Sequence, residues 1–169
     1  MLQRTLIFTA IFLFSCISSL AQGSNAQRDY VLKWKDEAVR QMELYKIPAS
    51  ITLAQGVLES GNGVSELAKK SNNHFGIKCH KDWEGGRTYH DDDEKGEGFR
   101  VYDDPKDSYV DHSKFLLRDR YSSLFELDIT DYKGWAKGLS KCGYATNPKY
   151  PELLVTIIES HELFKLDTG

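Results

Sequence analysis

The sequence contains little cysteine or proline and no excess of positive charge. Its 169 residues include 3 cysteines and 4 prolines, and 25 acidic residues outnumber 22 basic ones, for a formal net charge of −3. This balance gives no electrostatic basis for binding nucleic acid. Neither Cys79 nor Cys142 belongs to a CxxC pair and no HExxH occurs, so no zinc site is expected.

Two other site types are also poorly supported by the sequence. The acidic stretch 91–96 has the beginning of a calcium-loop spacing, but Lys95 replaces an oxygen ligand and Tyr102 stands where a bidentate glutamate is needed. The five histidines accompany no recognisable serine or cysteine nucleophile motif, which disfavours an amidase of that kind. We therefore expect neither a metal ion nor a cofactor.

Long apolar runs are restricted to the N-terminus. Residues 6–17 follow the basic Arg4 and are interrupted only by Thr9 and Ser15. Such a run is too short for a permanent span, which needs roughly 20 apolar residues, but it suits the core of a signal peptide. The small-x-small sequence 19–21 predicts cleavage after Ala21 and export to the periplasm or the medium. A retained N-terminal anchor is the alternative.

The rest of the chain has the length of one domain. We interpret 1–21 as the signal peptide, 22–28 as a short solvated leader and 29–165 as a catalytic domain that is expected to be monomeric and not inserted in the membrane after cleavage. Lipidation at Cys16 is a weaker alternative. Cys79 and Cys142 are compatible either with a disulfide in an oxidising compartment or with two buried free thiols.

The spacing of apolar residues predicts an α+β fold with mostly helical content. The predicted helices are 29–46, 49–60, 105–118, 122–127, 132–139 and 151–164. Between them, segment 83–102 is rich in glycine, aspartate and aromatic residues. Two short extended runs, 86–90 and 98–102, flank the acidic turn and predict a β-hairpin that forms a small lobe.

Glu59 is the first candidate for chemistry. It lies near the C-terminal end of an apolar helix, where both burial among apolar residues and the negative end of the helix dipole favour a protonated carboxyl group. A glycosidase needs such a group as the acid that protonates the leaving oxygen. Gln55 lies one turn earlier on the same face and can hold substrate or orient the carboxyl group. On position alone, an ordinary surface glutamate that ends a helix is the favoured interpretation.

Five motifs change this assessment. In chain order they are AQGVLESGNG at 54–63, NNHFGIK at 72–78, FRVY at 99–102, SYVDHSKFL at 108–116 and GYATNPKY at 143–150. Together they resemble the glucosaminidase domain of the family 73 glycoside hydrolases, which includes bacterial autolysins and flagellar wall hydrolases. The motifs occur in the same order as in the family and cover nearly all of residues 29–165.

The resemblance implies a lysozyme-like α+β fold with a substrate groove between a helical lobe and a β-lobe. It also implies activity on peptidoglycan glycan strands, with Glu59 as the catalytic glutamate and Tyr144 as a tyrosine important for activity. The residues implied to line the groove are Gln55, Asn73, Phe75, Asn147 and Tyr150. Phe75 and Tyr150 are also compatible with core positions, and Asn73 with a turn.

This chain departs from the family pattern in two places. Asn147 replaces the usual aspartate in GYATDPxY, so it keeps a hydrogen-bonding shape but cannot act as a charged base. The β-lobe lacks the family's glutamate in a TxEY stretch, and residues 88–94 read TYHDDDE instead. Asp91 is then the preferred base for activating water, with Asp93 and Glu94 as the alternatives. A route assisted by the substrate's own acetamido group, with Tyr144 steadying that group, remains open.

Three functions remain compatible with these residues. The first is cleavage after N-acetylglucosamine. The second is cleavage after N-acetylmuramic acid, by hydrolysis or by transglycosylation, because lysozyme-like folds support both reactions. The third is a non-catalytic module on the same fold that binds the cell wall. The absence of the β-lobe glutamate is the reason for this alternative.

Overall fold

The structure is a computed structural model that describes residues 5–80, 83–90 and 96–168, with the side chains of 5–24 excluded. Within these residues the chain forms six α-helices, two β-strands and two 3₁₀ segments. The helices are α1 (Thr5–Tyr45), α2 (Ala49–Glu59), α3 (Glu66–Ser71), α4 (Pro105–Leu116), α5 (Tyr132–Lys141) and α6 (Tyr150–Ser160). The strands are β1 (Gly86–His90) and β2 (Glu97–Val101), and the 3₁₀ segments are Asp119–Glu126 and Leu163–Thr168.

Helix α1 ends where the sequence predicts but begins earlier. Lys46 adopts a positive φ of 61° directly after the helix, and Pro48 follows. At the other end, the helix continues upstream of Asp29 through residues 22–28, which the sequence analysis interpreted as a solvated leader. No proline interrupts this stretch, and alanine, glutamine and arginine favour helix. Gln27 also contacts the main domain, because its Oε1 lies 3.1 Å from His161 Nε2.

Helix α2 is the central element of the helical lobe. It is buried from Ala49 to Val57 and packs against α1, α6 and the C-terminal 3₁₀ segment. Its observed bounds agree with the predicted helix 49–60 to within one residue. Gly56 permits a close approach of the neighbouring helix, since a Cβ at this position would lie 2.6 Å from the Tyr30 hydroxyl. A larger residue at Gly56 would therefore require the Tyr30 side chain or α1 to move.

The predicted β-hairpin is confirmed, with its second strand one residue earlier than expected. Strands β1 and β2 pair antiparallel, with Gly86 opposite Val101 and His90 opposite Glu97. An isolated bridge between Lys78 and Phe99 attaches the hairpin to the preceding loop. The acidic turn is only partly visible, because residues 91–95 lie outside the described part of the chain.

The remaining helices begin with clear sequence signals. Asp104 caps α4 in a reciprocal capping box with Asp107, and Pro105 occupies the first turn. The predicted helix 122–127 is a 3₁₀ segment that starts at Asp119, and the end of the predicted helix 151–164 is also 3₁₀. Short α3 was not predicted, although Ser65 caps it by accepting a hydrogen bond from the Ala68 amide.

The α+β prediction is confirmed, since a helical lobe carries one small two-stranded sheet. A single core joins the faces of α1, α2, α4, α5 and α6, with Trp135, Tyr109, Ile51 and Leu154 among its buried members. Cys79 and Cys142 are both free thiols. Among the helices of the described residues, none has the length and apolar character needed to cross a membrane.

Candidate active site

Glu59 is the last residue of α2, as predicted, but its environment differs from the prediction. The sequence suggested a carboxyl group surrounded by apolar side chains. In the structure the continuous buried stretch ends at Val57, Leu58 is half-buried and the Glu59 side chain is exposed. The helix is therefore anchored in the core while its terminal carboxyl group reaches solvent. A carboxyl group in this position can contact a substrate that binds along the surface.

Tyr150 connects Glu59 to the core. Its hydroxyl donates a 2.9 Å hydrogen bond to Glu59 Oε1 and accepts a 3.0 Å hydrogen bond from Gln55 Nε2. Tyr150 is 3% exposed and Gln55 is fully buried. The three side chains therefore form a continuous chain of hydrogen bonds that runs from the interior of the protein to the exposed carboxyl group.

Tyr144 lies beside this chain. Its ring stacks on the Tyr150 ring, with centroids 5.7 Å apart and planes inclined by 25°. Gly143, at φ 70°, turns the backbone after α5, and the Tyr144 amide donates to the Leu139 carbonyl at 3.0 Å. Arg120 supports the same turn by donating to the carbonyl oxygens of Cys142 and Gly143. The orientation of Tyr144 is thus set by both its ring contacts and its backbone.

Both site tyrosines retain their phenolic protons in the ordinary pH range. Burial raises the pKa of Tyr144 well above its usual value, and the negative charge of Glu59 raises it further. Burial is also the main cause of the raised pKa of Tyr150, and electrostatic interactions with Tyr144 and Glu59 raise it further. Both hydroxyls are therefore available as hydrogen-bond donors.

Asn73 and Phe75, two of the predicted groove residues, lie in the interior of the described structure. Asn73 Nδ2 donates to the carbonyl oxygens of Ile77 and Arg100 at 3.0 Å each, and its Oδ1 accepts from the Ile77 amide at 3.0 Å. Phe75 is 5% exposed and stacks on His112 with centroids 4.0 Å apart. In this arrangement Asn73 organises a turn and Phe75 is a core aromatic residue.

The other two predicted site residues cannot be placed in the same cluster. Asn147 is exposed, and its Oδ1 accepts from the Lys149 amide at 2.9 Å, which shapes the turn before α6. Asp91, together with its alternatives Asp93 and Glu94, lies outside the described residues. The identity of a second catalytic carboxylate is therefore still a sequence-based prediction. Among the described residues, no cluster of histidine, cysteine, aspartate or glutamate could hold a metal ion.

An ion pair that the sequence analysis did not identify attaches the β-lobe to α4. Arg100 Nη1 binds both carboxylate oxygens of Asp111, at 3.0 and 2.9 Å, and the Tyr102 hydroxyl donates to Asp111 Oδ2 at 2.5 Å. The Arg100 guanidinium also covers the Trp83 ring at 4.5 Å. The FRVY and SYVDHSKFL motifs, which the sequence analysis treated separately, therefore contact each other through this ion pair. The contact could not be predicted because the two motifs lie on different elements of the fold.

Several buried polar atoms on α2 and α4 have no hydrogen-bond partner among the described residues. They are Thr52 Oγ1, Gln55 Oε1 and both ring nitrogens of His112. Burial lowers the pKa of His112 to about 3, so its ring is neutral at physiological pH. His112 is also an aromatic neighbour of Tyr144, with ring centroids 6.1 Å apart. It therefore supports the site through packing and carries no charge there.

The sequence of this chain is similar to those of known proteins. Residues 35–163 match the model of a protein family described as mannosyl-glycoprotein endo-beta-N-acetylglucosaminidase, or glucosaminidase. The exo-glucosaminidase LytG of Bacillus subtilis is 32% identical over 163 residues, which cover 89% of this chain and 57% of the relative. The chain spans about half the length of the curated relatives it matches.

Solved structures share the fold. The catalytic domain of the autolysin Auto from Listeria monocytogenes is similar with a TM-score of 0.67 at 29% identity, over 83% of this chain and 87% of that one. The glycoside hydrolase domain of FlgJ from Salmonella typhimurium is similar with a TM-score of 0.67 at 26% identity, over 84% of this chain and 92% of that one. These neighbours confirm the predicted lysozyme-like architecture.

Proposed function

This chain belongs to the glucosaminidase family, and we propose that it is a peptidoglycan hydrolase that cleaves the β-1,4 bond after N-acetylglucosamine in cell-wall glycan strands. The observation that carries the proposal is the position of Glu59. Its exposed carboxyl group ends a buried helix and is held by the Tyr150 hydroxyl at 2.9 Å. The exo-glucosaminidase LytG, the peptidoglycan hydrolase FlgJ and the autolysin Auto support the choice of substrate.

In the proposed reaction, Glu59 is the general acid. It gives its proton to the glycosidic oxygen as the bond to the anomeric carbon breaks, so that the leaving sugar departs as a neutral alcohol. The anomeric carbon is then attacked either by water, activated by a β-lobe carboxylate such as Asp91, or by the substrate's acetamido oxygen. In the second route, water later attacks the same carbon, breaks the new bond and restores the acetamido group. Tyr144 keeps its proton and can steady that acetamido group. No metal or cofactor takes part in either route.

Peptidoglycan lies outside the cytoplasm, so the proposed substrate agrees with the signal peptide predicted for residues 1–21. We include export, cleavage after Ala21 and action as a monomer in the proposal. Processing can be checked by N-terminal sequencing of the protein recovered from the periplasm or medium of a bacterial host. An N-terminus at Gln22 is the expected result.

The function is tested by mass spectrometry of the fragments released from purified cell walls by the wild type and by Glu59→Gln. The wild type should release fragments with N-acetylglucosamine at the reducing end. The near-isosteric variant should lose at least about two to three orders of magnitude of activity while keeping its fold, the scale expected for a missing general acid. Sedimentation with insoluble walls measures binding separately from cleavage.

Each alternative function has its own outcome in this experiment. Fragments that end only in N-acetylmuramic acid would identify a muramidase, and anhydro ends would identify a transglycosylase. Binding to walls without any release across pH 5 to 8 would identify a non-catalytic module. Full activity in Glu59→Gln would remove Glu59 from the mechanism.

A further inference from the structure

Gln55 and Tyr150 form the hydrogen-bonded chain behind Glu59, and we propose that both are positioning residues for the acid, with no direct role as substrate ligands. The proposal rests on the proposed function, since it assigns these residues a task in that reaction. It differs from what the family resemblance implies, in which both residues line the substrate groove. For Gln55, it selects the orienting role over the substrate-binding role that the sequence also allowed. The structure suggests the new assignment because the polar atoms involved already bind one another at 3.0 and 2.9 Å.

The direction of the hydrogen bonds follows from counting protons. A tyrosine hydroxyl carries one proton, and the amide nitrogen of a glutamine can only donate. Gln55 Nε2 therefore donates to the Tyr150 oxygen, and the single Tyr150 proton is directed toward Glu59 Oε1. Tyr150 does not lose this proton in the ordinary pH range, because burial raises its pKa. Gln55 thus orients the hydroxyl that holds the acid.

This orientation gives the Glu59 carboxyl group a defined role for each oxygen. Oε1 accepts from Tyr150 whether the carboxyl group is protonated or charged. The transferable proton therefore belongs on Oε2. After transfer, the donor on Oε1 is already in place to stabilise the new carboxylate, so no side chain has to reorganise during the reaction.

Burial makes Gln55 and Tyr150 unsuited to direct contact with substrate. Gln55 is fully buried, and Tyr150 is 3% exposed with one ring face stacked on Tyr144. Glu59, in contrast, is an exposed side chain. An exposed glutamate samples many rotamers unless a partner restrains it, and a buried tyrosine supplies a rigid restraint. A misplaced acid would reduce turnover without weakening the binding of the glycan.

The proposal is tested by steady-state kinetics of Tyr150→Phe, Gln55→Met and the double variant on soluble, uncross-linked glycan strands. We expect kcat to fall about 10- to 100-fold in Tyr150→Phe, the scale of a misplaced catalytic group, with KM changed less than about twofold. The alkaline limb of the kcat/KM profile should move to higher pH, because the lost hydrogen bond stabilised the charged acid. Gln55→Met should have little further effect in the Tyr150→Phe background.

Tyr132→Phe is the matched control. The Tyr132 hydroxyl donates to Glu159 Oε1 at 3.1 Å, so the same pair of residue types forms an exposed hydrogen bond outside the chain of Gln55, Tyr150 and Glu59. This variant should behave as the wild type. If Gln55→Met melts early and cannot be assayed, Tyr150→Phe alone still provides the kcat against KM comparison and the pH profile.

Several outcomes would overturn the proposal. A raised KM with unchanged kcat would make these residues substrate ligands, and wild-type kinetics in Tyr150→Phe would give the hydroxyl no role. Fully additive effects in the double variant would separate Gln55 from Tyr150. Failure of the proposed function gives a different result. If the wild type releases no glycan fragments, both the proposed function and the positioning role are wrong. If the wild type is active and Glu59→Gln is inactive, the proposed function stands whatever the kinetics of Tyr150→Phe show.

Discussion

The carboxylate of Asp167 caps the N-terminus of the helix that ends in Glu59. Its Oδ1 accepts from the Ser50 amide at 2.9 Å and its Oδ2 from the Ser50 hydroxyl at 2.5 Å, across 117 positions of sequence. Pro48, which precedes α2, supplies no side-chain cap of its own. The C-terminal 3₁₀ segment therefore supplies an acceptor to the first turn of the central helix, and the two ends of α2 are held by different parts of the chain.

We expect Asp167→Ala to destabilise the protein. Loss of an N-cap costs about 0.5 to 2 kcal/mol of unfolding free energy, and two buried donors on Ser50 would also lose their acceptor. Asp167→Asn should be milder, because the amide oxygen can still accept and no charge is left to be desolvated by the burial that raises the pKa of Asp167. Urea denaturation measures the difference.

The exposed neighbour Thr168 provides the control for this experiment. Its hydroxyl donates only to the Lys165 carbonyl at 3.1 Å, so Thr168→Ala should unfold as the wild type does. Equal stability of Asp167→Ala and Thr168→Ala would show that the cap does not stabilise α2.

We predict that the free energy of unfolding falls in acid because of two buried histidines. Burial lowers the pKa of His112 to about 3 and that of His74 to about 4, below the usual value of 6.5. Both groups are neutral when folded but take up protons when unfolded, so stability is full above about pH 6.5 and falls as the pH drops toward 4. Each histidine contributes a slope of about 1.4 kcal/mol per pH unit within this window.

Urea titrations at several pH values measure that slope. His112→Leu should reduce it by about half while leaving stability at pH 7.5 close to that of the wild type, because the ring nitrogens of His112 have no partner among the described residues. The raised pKa of Asp167 acts in the opposite sense near its own titration and will partly offset the fall. An unchanged slope in His112→Leu would mean that this ring does not remain neutral in the folded protein.

Local patterns were sufficient to predict most elements and the position of Glu59. Helix α2 has a proline before it, apolar residues along it and a Ser-Gly-Asn-Gly stop after it, and all of these signals lie within 16 residues of sequence, 48–63. The β-hairpin was also predicted from its own composition. These features depend on neighbours in sequence, which is the information that periodicity contains.

Contacts between distant segments could not be predicted in this way. The hydrogen bond from Tyr150 to Glu59 joins positions 91 apart, and the ion pair of Arg100 with Asp111 joins the β-lobe to α4. The exposure of Glu59 depends on where the surrounding core ends, which apolar spacing along one helix does not reveal. For the same reason, the sequence left Asn73 open between a groove position and a turn, whereas the structure shows that it hydrogen-bonds the backbone of its own turn and of β2.

Arg120 should influence activity through Tyr144. Its guanidinium donates to the carbonyl oxygens of Cys142 and Gly143, and so fixes the turn that leads into Tyr144. We expect Arg120→Met to lower kcat several-fold and to reduce the melting temperature by only a few degrees, since surface interactions of this kind contribute about 1 kcal/mol. Arg28→Met, which removes an exposed arginine from α1, is the control. Wild-type turnover in Arg120→Met would show that the turn holds Tyr144 without it.

The second catalytic group can be located by replacing each β-lobe carboxylate with its amide. If one of them activates water, turnover should fall strongly in Asp91→Asn and little in Asp93→Asn or Glu94→Gln. Azide should then restore turnover in the damaged variant, because an external nucleophile can replace water that is no longer activated. The anomeric form of the glycosyl azide would report which face of the sugar is attacked.

If all three amide variants remain active, Tyr144→Phe tests the substrate-assisted route. A substrate-assisted route needs a group that steadies the acetamido oxygen or nitrogen, and the Tyr144 hydroxyl keeps its proton for this purpose because burial and the charge of Glu59 raise its pKa. Removing only the hydroxyl preserves the stacking on Tyr150, so any loss of activity reflects the missing donor. We expect kcat to fall by about 100-fold or more on this route. Normal turnover in Tyr144→Phe, together with three active amide variants, would exclude both routes and require a base elsewhere in the protein.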